Sequence, residues 1–314
     1  MSKPKIIVIC GPTCSGKTDL SVSLAKKING EIISCDSMQI YDEFNIGTAK
    51  VTKEEMQGIK HYMVGNISPK ERYSVSKYKK EAEEAIEEIL KNKKVPIIVG
   101  GTGLYINSLI YNIEYKEVET DLEYREELEK EVNEKGLEYF YKKALEIDKD
   151  AMENISKNDK KRILRIIEIY KETGKTKTEL EIESRQNESK YDFNIYIIDI
   201  PRDVLYEKIN KRVDIMIENG LVEETKKLLQ KYGENLLTSM QAIGYKELLD
   251  YINGKESLEE AVDRIKKETR HYAKRQITWF KKIENTKIIN GLNSKEENIE
   301  EIIKDINYEE TSKN

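Results

Sequence analysis

Residues Gly11-Pro12-Thr13-Cys14-Ser15-Gly16-Lys17-Thr18 fit the pattern G-x-x-x-x-G-K-[ST] at every fixed position, and nothing else in the chain restricts the fold as tightly. The pattern works only where a strand delivers the backbone to a tight loop and a helix takes it up again. There the loop N–H groups and the positive helix end converge on phosphate oxygens. The flanks comply: Ile6 to Ile9 is an apolar β-branched run, and Lys17 to Lys27 has helical spacing. Lys17 adds a point charge and the Thr18 hydroxyl is the natural ligand for Mg2+, so a phosphorylated small molecule is the expected occupant.

Two more short runs, Glu31 to Ser34 and Val95 to Val99, read as strands covered on both faces, with Val75 to Asn92 as a helix between them. Such alternation predicts an α/β fold, a P-loop doubly wound parallel sheet. From about Glu114 to Arg185 strand-like runs vanish, and charged helical segments at Leu122 to Lys135 and Lys161 to Tyr170 replace them, with Gly136 and Gly174 as stops. That stretch reads as an all-helical insertion domain. Phe193 to Ile200 restores a strand, closed by Pro201, before helices at Val204 to Asn219, Leu221 to Lys231 and Leu258 to Ile283. The predicted organisation is residues 1–113 as the first part of the core, 114–187 as the insertion and 188–314 as the return to the core, with the last dozen residues frayed.

Enzymes that hydrolyse or transfer nucleotide phosphates on this fold commonly end an apolar strand on an acidic pair that serves Mg2+ and water. Here Val95 to Val99 runs instead into Gly100-Gly101-Thr102-Gly103, and Asp199, which closes a later apolar strand, is a weak candidate because of its distance from the loop and the following Pro201. The carboxylate in a telling place is Asp36, at the end of the second strand in Ser34-Cys35-Asp36-Ser37-Met38-Gln39. Ligands of open parallel sheets bind beyond the carboxyl ends of the strands, so the P-loop, Asp36 and Thr102 should share one crevice. Asp36 could accept a proton from a nucleophile, and Thr102 with the glycine amides could hydrogen-bond leaving-group oxygens. On these residues alone, Asp36 as a helix cap and the glycine turn as a plain bend also stand.

These blocks, together with Asp36-Ser37-Met38-Gln39-Ile40-Tyr41, Asn45-Ile46-Gly47-Thr48-Ala49-Lys50 and Gly100-Gly101-Thr102-Gly103-Leu104-Tyr105, resemble the tRNA dimethylallyltransferase family, also called tRNA isopentenyltransferase. Asn158-Asp159 with Lys161-Arg162-Ile163-Leu164-Arg165, then Gln241-Ala242-Ile243-Gly244-Tyr245-Lys246 and Lys274-Arg275-Gln276-Ile277-Thr278-Trp279-Phe280, extend the resemblance over residues 5–282. It implies transfer of the dimethylallyl group from dimethylallyl diphosphate to the exocyclic amine of the adenosine 3′ of a tRNA anticodon, with Mg2+ present. The catalytic residues it implies are Asp36 at the amine, Thr102 on the bridging side of the diphosphate and Arg212 at the leaving group. Gly11, Pro12, Thr13, Cys14, Ser15, Gly16, Lys17 and Thr18 would bind the diphosphate, helped by Arg125. The tRNA anticodon stem-loop would be contacted by Asp36, Ser37, Met38, Gln39, Thr102 and Arg125. Further contacts would come from Lys161, Arg162, Ile163, Leu164 and Arg165, from Gln241, Ala242, Ile243, Gly244, Tyr245 and Lys246, and from Lys274, Arg275, Gln276, Thr278 and Trp279. Without the resemblance, Arg125 reads as one partner of a surface pair with Asp121 or Glu129, and Arg212 as one charge on an amphipathic helix.

A net charge of −5 argues against a polyanionic partner only if charge is evenly spread, and it is not. Arg264 to Lys282 carries eight Lys or Arg against the single acid Glu268. On a helix, Arg264, Lys267, His271, Lys274, Thr278 and Lys281 make one stripe suited to a phosphate backbone, and Ile265, Tyr272, Gln276, Trp279 and Ile283 make another suited to packing. The three cysteines, Cys10, Cys14 and Cys35, lack zinc or disulfide spacing and read as reduced packing residues. No apolar run approaches the roughly 18 residues a bilayer span needs, and Met1 to Lys5 leads straight into a strand, so a cytoplasmic protein is expected, and the resemblance implies a monomer. Lys60-His61-Tyr62 departs from the His-His pair common in the family, and no zinc finger follows the last block, as in the bacterial form. A P-loop small-molecule kinase, or an RNA-binding protein with a relic cradle, are the other classes the residues allow.

Overall fold

In the computed structural model, which describes residues 3–114, 122–153, 155–184, 188–233 and 238–311, the apolar runs become the strands of a single parallel sheet. In chain order these are β1 (Lys5–Cys10), β2 (Gly30–Cys35), β3 (His61–Tyr62), β4 (Val95–Gly100), β5 (Asp192–Asp199) and β6 (Thr286–Asn290). Their spatial order is β3-β2-β4-β1-β5-β6. The register sets Cys10 beside Gly100, and Cys35 beside that same Gly100, so the loops after β1, β2 and β4 leave the sheet at one level. A Cβ on Gly100 would lie 2.0 Å from the Cys35 carbonyl oxygen, which is why only glycine fits there. The sheet is the doubly wound arrangement expected from the alternation of strands and helices.

One face of the sheet presents Ile7, Ile9, Ile32, Ile97, Val99 and Ile198 to helices Lys17–Ile28 and Arg202–Glu218, through Leu20, Leu24, Leu205 and Ile209. β3 and β6 carry no sequence signal. The first is two residues long, and the second is an edge whose Thr-Lys-Ile-Ile-Asn run buries only Ile289. The C-terminal stretch also differs from expectation. A helix spans Lys295–Thr311 and so runs into the last dozen residues, where Ile303 and Ile306 pack partly buried against the sheet core.

The chain divides into two compact units, Met1–Ile106 with Lys190–Asn314, and Asn107–Ser189. The second unit is helical among its described residues, with helices Leu122–Lys135, Leu137–Ile147, Lys149–Met152, Lys160–Thr173 and Lys177–Ser184. Its own core is built from Leu128, Phe140, Ala144, Ile163, Leu164 and Ile167. Gly136 follows the first of these helices at φ 78°, and Gly174 closes the fourth in the left-handed region at φ 67°. Asp148 ties two turns together by accepting hydrogen bonds from the Ala151 N–H and from the Thr178 N–H and hydroxyl.

Candidate active site

β1 delivers the chain to Gly11, whose missing side chain lets the loop pass against β5: a Cβ would stand 3.0 Å from the Ile198 carbonyl oxygen. Gly16 then enters helix Lys17–Ile28 at φ 87°, with no side chain capping the helix end, so its first N–H groups face the cavity. Lys17 Nζ donates to the carbonyls of Gly11 and Pro12, at 3.0 and 2.7 Å. Burial pushes its pKa down to about 8, and the Arg212 charge adds to the drop, while Asp36 and the Cys14 thiol oppose it. A phosphate arriving there would meet a cation already aimed at the loop.

Asp36 follows β2 directly, and its Oδ1 accepts the Met38 and Gln39 N–H groups at 2.9 and 3.2 Å. These bonds hold the carboxylate at the head of the turn and leave Oδ2 without a hydrogen bond among the described residues. The turn is fixed from β4 as well: the Thr102 N–H donates to the Cys35 carbonyl, and Thr102 Oγ1 accepts the Ser37 N–H at 3.0 Å. The Gln39 side-chain amide donates to the carbonyls of Thr48 and Ala49. That segment is riveted in turn. Glu224 accepts the Ile46 N–H at 2.9 Å and the Tyr245 hydroxyl at 2.6 Å, and Tyr245 fills the space where a Gly47 Cβ would lie 2.4 Å from its ring.

Two cavities open on this scaffold. The larger, about 690 Å³, is lined by the P-loop, Asp36, Gln39, His61, Gly100, Gly101 and the basic residues Lys208, Lys211 and Arg212 of helix Arg202–Glu218. The smaller, about 290 Å³, is lined by Ser37, Met38, Gly47, Ala49, Gln241, Ala242, Ile243, Lys246 and Arg275. Thr13, Cys14, Asp36, Thr48, Arg212 and Tyr272 line both. The Arg212 guanidinium lies 3.8 Å from Cys14 Sγ, against the loop. Burial, then the Asp36 charge, push the Tyr272 phenol well above its ordinary range, so it stays a neutral hydroxyl at the junction.

Residues 13–18, Asp36 and Arg212 thus line one cavity, Gly11 and Pro12 take part through their carbonyls on Lys17, and other expected residues lie elsewhere. Thr102 lines neither cavity; its hydroxyl accepts the Ser37 N–H and hydrogen-bonds Tyr272, which lines both. Arg125 belongs to the second unit, where its guanidinium pairs with Glu168 at 3.2 Å and Glu129 at 3.6 Å; Asp121 lies outside the described residues. Glu168, 1% exposed, also holds Arg165 at 3.1 Å. Lys161 and Arg162 are exposed, but Ile163 and Leu164 are sealed in that unit's core and offer no side chain to a partner. Tyr245 is buried on Glu224, and Gly244 is buried with its N–H on Glu247, whereas Gln241 and Lys246 face outward.

On helix Leu258–Phe280, Lys267, His271, Lys274, Arg275 and Thr278 are exposed, as the polar stripe requires, and so is Lys281 just beyond its end. Arg264 is not available, since its guanidinium bonds the Glu247 carbonyl and Glu256. Gln276 is buried, as the packing stripe predicts. Trp279, assigned to the same stripe, is 40% exposed: its indole rests on Gly103, where a Cβ would stand 2.3 Å away, and its other face is open. The His61 ring is partly buried with Nδ1 2.9 Å from the Ile59 carbonyl, and burial lowers its pKa. Lys208, Lys211 and Glu224 have no place in the sequence reading, and Tyr272 enters it only as a packing residue. Thr48 enters through its place in the Asn45 to Lys50 block.

A phosphate cradle at the end of a parallel strand, opening through one carboxylate and one arginine onto a second cavity, defines a P-loop enzyme site with room for two reactants. The family model described as IPP transferase matches residues 39–283. The tRNA dimethylallyltransferase of Acetivibrio thermocellus is 49% identical over 303 residues, 96% of each chain, and that of Clostridioides difficile is 47% identical over 287 residues, 91% of this chain and 92% of its own. The crystal structure of the full-length tRNA isopentenylpyrophosphate transferase from Bacillus halodurans superposes with a TM-score of 0.74 at 41% identity, covering 99% of each chain. A eukaryotic dimethylallyltransferase acting on tRNA matches with a TM-score of 0.76 at 32% identity, over 92% of this chain and 74% of that one. The chain belongs to the IPP transferase family.

Proposed function

We propose that this enzyme transfers the dimethylallyl group of dimethylallyl diphosphate to the exocyclic amine of the adenosine 3′-adjacent to the anticodon in tRNA, releasing diphosphate. The observation that carries the reading is the shared wall: Asp36 and Arg212 line both cavities at once. The donor's diphosphate would lie in the larger cavity against the loop N–H groups and Lys17, and the adenine would reach Asp36 through the smaller one. Reaching it requires the base to be turned out of the anticodon stack.

The reaction breaks the allylic C–O bond and forms a C–N bond. Negative charge develops on the departing diphosphate, and Lys17, Arg212 and the loop amides, which line the larger cavity, would receive it. The amine loses one proton as it is alkylated, and Asp36 Oδ2 is the acceptor that the turn leaves open. Thr102, through its bond to the Ser37 N–H, acts on this step by holding the turn. Lys208 and Lys211 extend the positive wall beside Arg212.

Among the described residues there is no group of three or more His, Cys, Asp or Glu able to hold a metal ion alone, and the exposed Thr18 hydroxyl at the cavity wall is the protein ligand that fits. This suits Mg2+ carried mainly by the donor's own phosphate oxygens, where it would neutralise charge on the leaving group. The exposed face of Lys267, Lys274 and Arg275 would meet the tRNA backbone, with Lys161 and Arg162 of the second unit as a further contact. No helix among the described residues is long and apolar enough to cross a membrane.

Incubation of unmodified tRNA with the protein, Mg2+ and dimethylallyl diphosphate, followed by mass analysis of the digested RNA, tests this directly. One dimethylallyl group in place of one hydrogen on a single adenosine is the result this reading requires. Phosphorylated product formed from ATP, with no prenylated nucleoside, would instead establish the kinase reading.

A further inference from the structure

Gln276 sits in the block that the resemblance assigns to tRNA, yet it is 6% exposed and both ends of its amide are spent inside the protein. Its Oε1 accepts the Thr13 N–H at 2.8 Å, and its Nε2 donates to the Gly101 carbonyl at 2.9 Å. One side chain therefore joins the phosphate loop after β1 to the glycine turn after β4, from a helix that belongs to neither. The fit leaves no slack: a Cβ on Gly101 would stand 2.2 Å from Nε2. Pro12 has no N–H and that of Thr13 is engaged, so past Thr13 the loop offers a phosphate the N–H groups from Cys14 to Thr18.

We infer that Gln276 is a positioning residue for the donor site and not an RNA contact: it sets the leading edge of the phosphate loop at the height the diphosphate needs. The inference rests on the reading of the larger cavity as the donor site. It also divides the labour of helix Leu258–Phe280. Lys274 and Arg275, the neighbours of Gln276 in sequence, are exposed toward a partner, while Gln276 itself braces the chemistry from within. Replacing it should therefore disturb the donor and leave the RNA alone.

The test uses Gln276→Met, which keeps the length of the side chain and removes both bonds, with calorimetric binding of dimethylallyl diphosphate to the enzyme free of tRNA, and separate filter binding of tRNA. Two lost hydrogen bonds to a loop that must then be reordered predict donor affinity weaker by about tenfold. KM for the donor should rise in step, kcat at saturating donor should change less, and tRNA affinity should stay within about twofold of the parent, because no phosphate-facing charge has been removed. Unchanged donor affinity, or weakened tRNA affinity with the donor unaffected, overturns the inference. If Gln276→Met does not fold, Gly101→Ala reads the same bridge by crowding the amide from the other side, and it must show the same donor-only defect. Failure of the parent enzyme itself to bind the donor would remove the functional reading, and this inference with it.

Discussion

Lys17 makes the donor site sensitive to pH in a way that can be worked out in advance. In the free enzyme its ammonium is held at a pKa of about 8, against an ordinary Lys value of 10.5, chiefly because burial disfavours the charge. A bound diphosphate brings negative charge beside Nζ and restores the preference for the proton, so binding takes a proton up wherever free Lys17 has lost one. The sign follows: affinity is full below about pH 8 and falls above it. At pH 9 roughly a tenth of the free enzyme still carries the proton, so the donor's Kd should be about tenfold weaker than at pH 7. At pH 8, calorimetry in two buffers of different ionisation enthalpy should find uptake of about half a proton per donor bound. Lys17→Met, measured over the same series, should bind weakly at every pH without the slope. A flat Kd from pH 7 to 9 in the parent, or the same slope in Lys17→Met, would refute the assignment of Lys17 as the group that meets the diphosphate.

Other substitutions separate the two substrates. Asp36→Asn, whose Oδ1 can still accept the Met38 and Gln39 N–H groups, should leave tRNA binding near normal while transfer falls by about a hundred- to ten-thousand-fold, the range for a lost general base; a variant with normal single-turnover rate would remove Asp36 from the chemistry. Lys274→Ala and Arg275→Ala should each weaken tRNA binding and flatten its dependence on log salt concentration by about one unit, with the donor's KM unmoved. Gly47→Ala forces a methyl to within 2.4 Å of the Tyr245 ring, at a cost of about 1–3 kcal/mol in stability by denaturant unfolding. An unaltered midpoint would mean the Gly47 segment is not clamped as described.

The core of this fold was legible because its strands are buried on both faces. Ile6 to Ile9, Glu31 to Ser34, Val95 to Val99 and Phe193 to Ile200 each fall within a residue or so of β1, β2, β4 and β5. β3 and β6 were not, since a two-residue pairing and an exposed edge leave no periodic run to read. At the site, the phosphate loop and Asp36 declared themselves by motif and by position at a strand end. What stayed hidden depends on distant segments meeting: Glu224 reaching the N–H groups of Ile46 and Gly47, or Thr102 turning its hydroxyl to Ser37. Family blocks also mix functions that burial separates. Lys161 and Arg162 face solvent beside the sealed Ile163 and Leu164, and exposed Arg275 precedes the buried bridge of Gln276.

The sharpest check is a crystal structure of the enzyme with an anticodon stem-loop and a dimethylallyl thiolodiphosphate, an analogue that resists ionisation. Phosphate oxygens should lie on the N–H groups of residues 14–18 with Lys17 turned toward them, and an extruded adenine should hydrogen-bond Asp36 Oδ2 through its amine. Diphosphate bound away from that loop, or an adenine with its amine turned from Asp36, would contradict this arrangement.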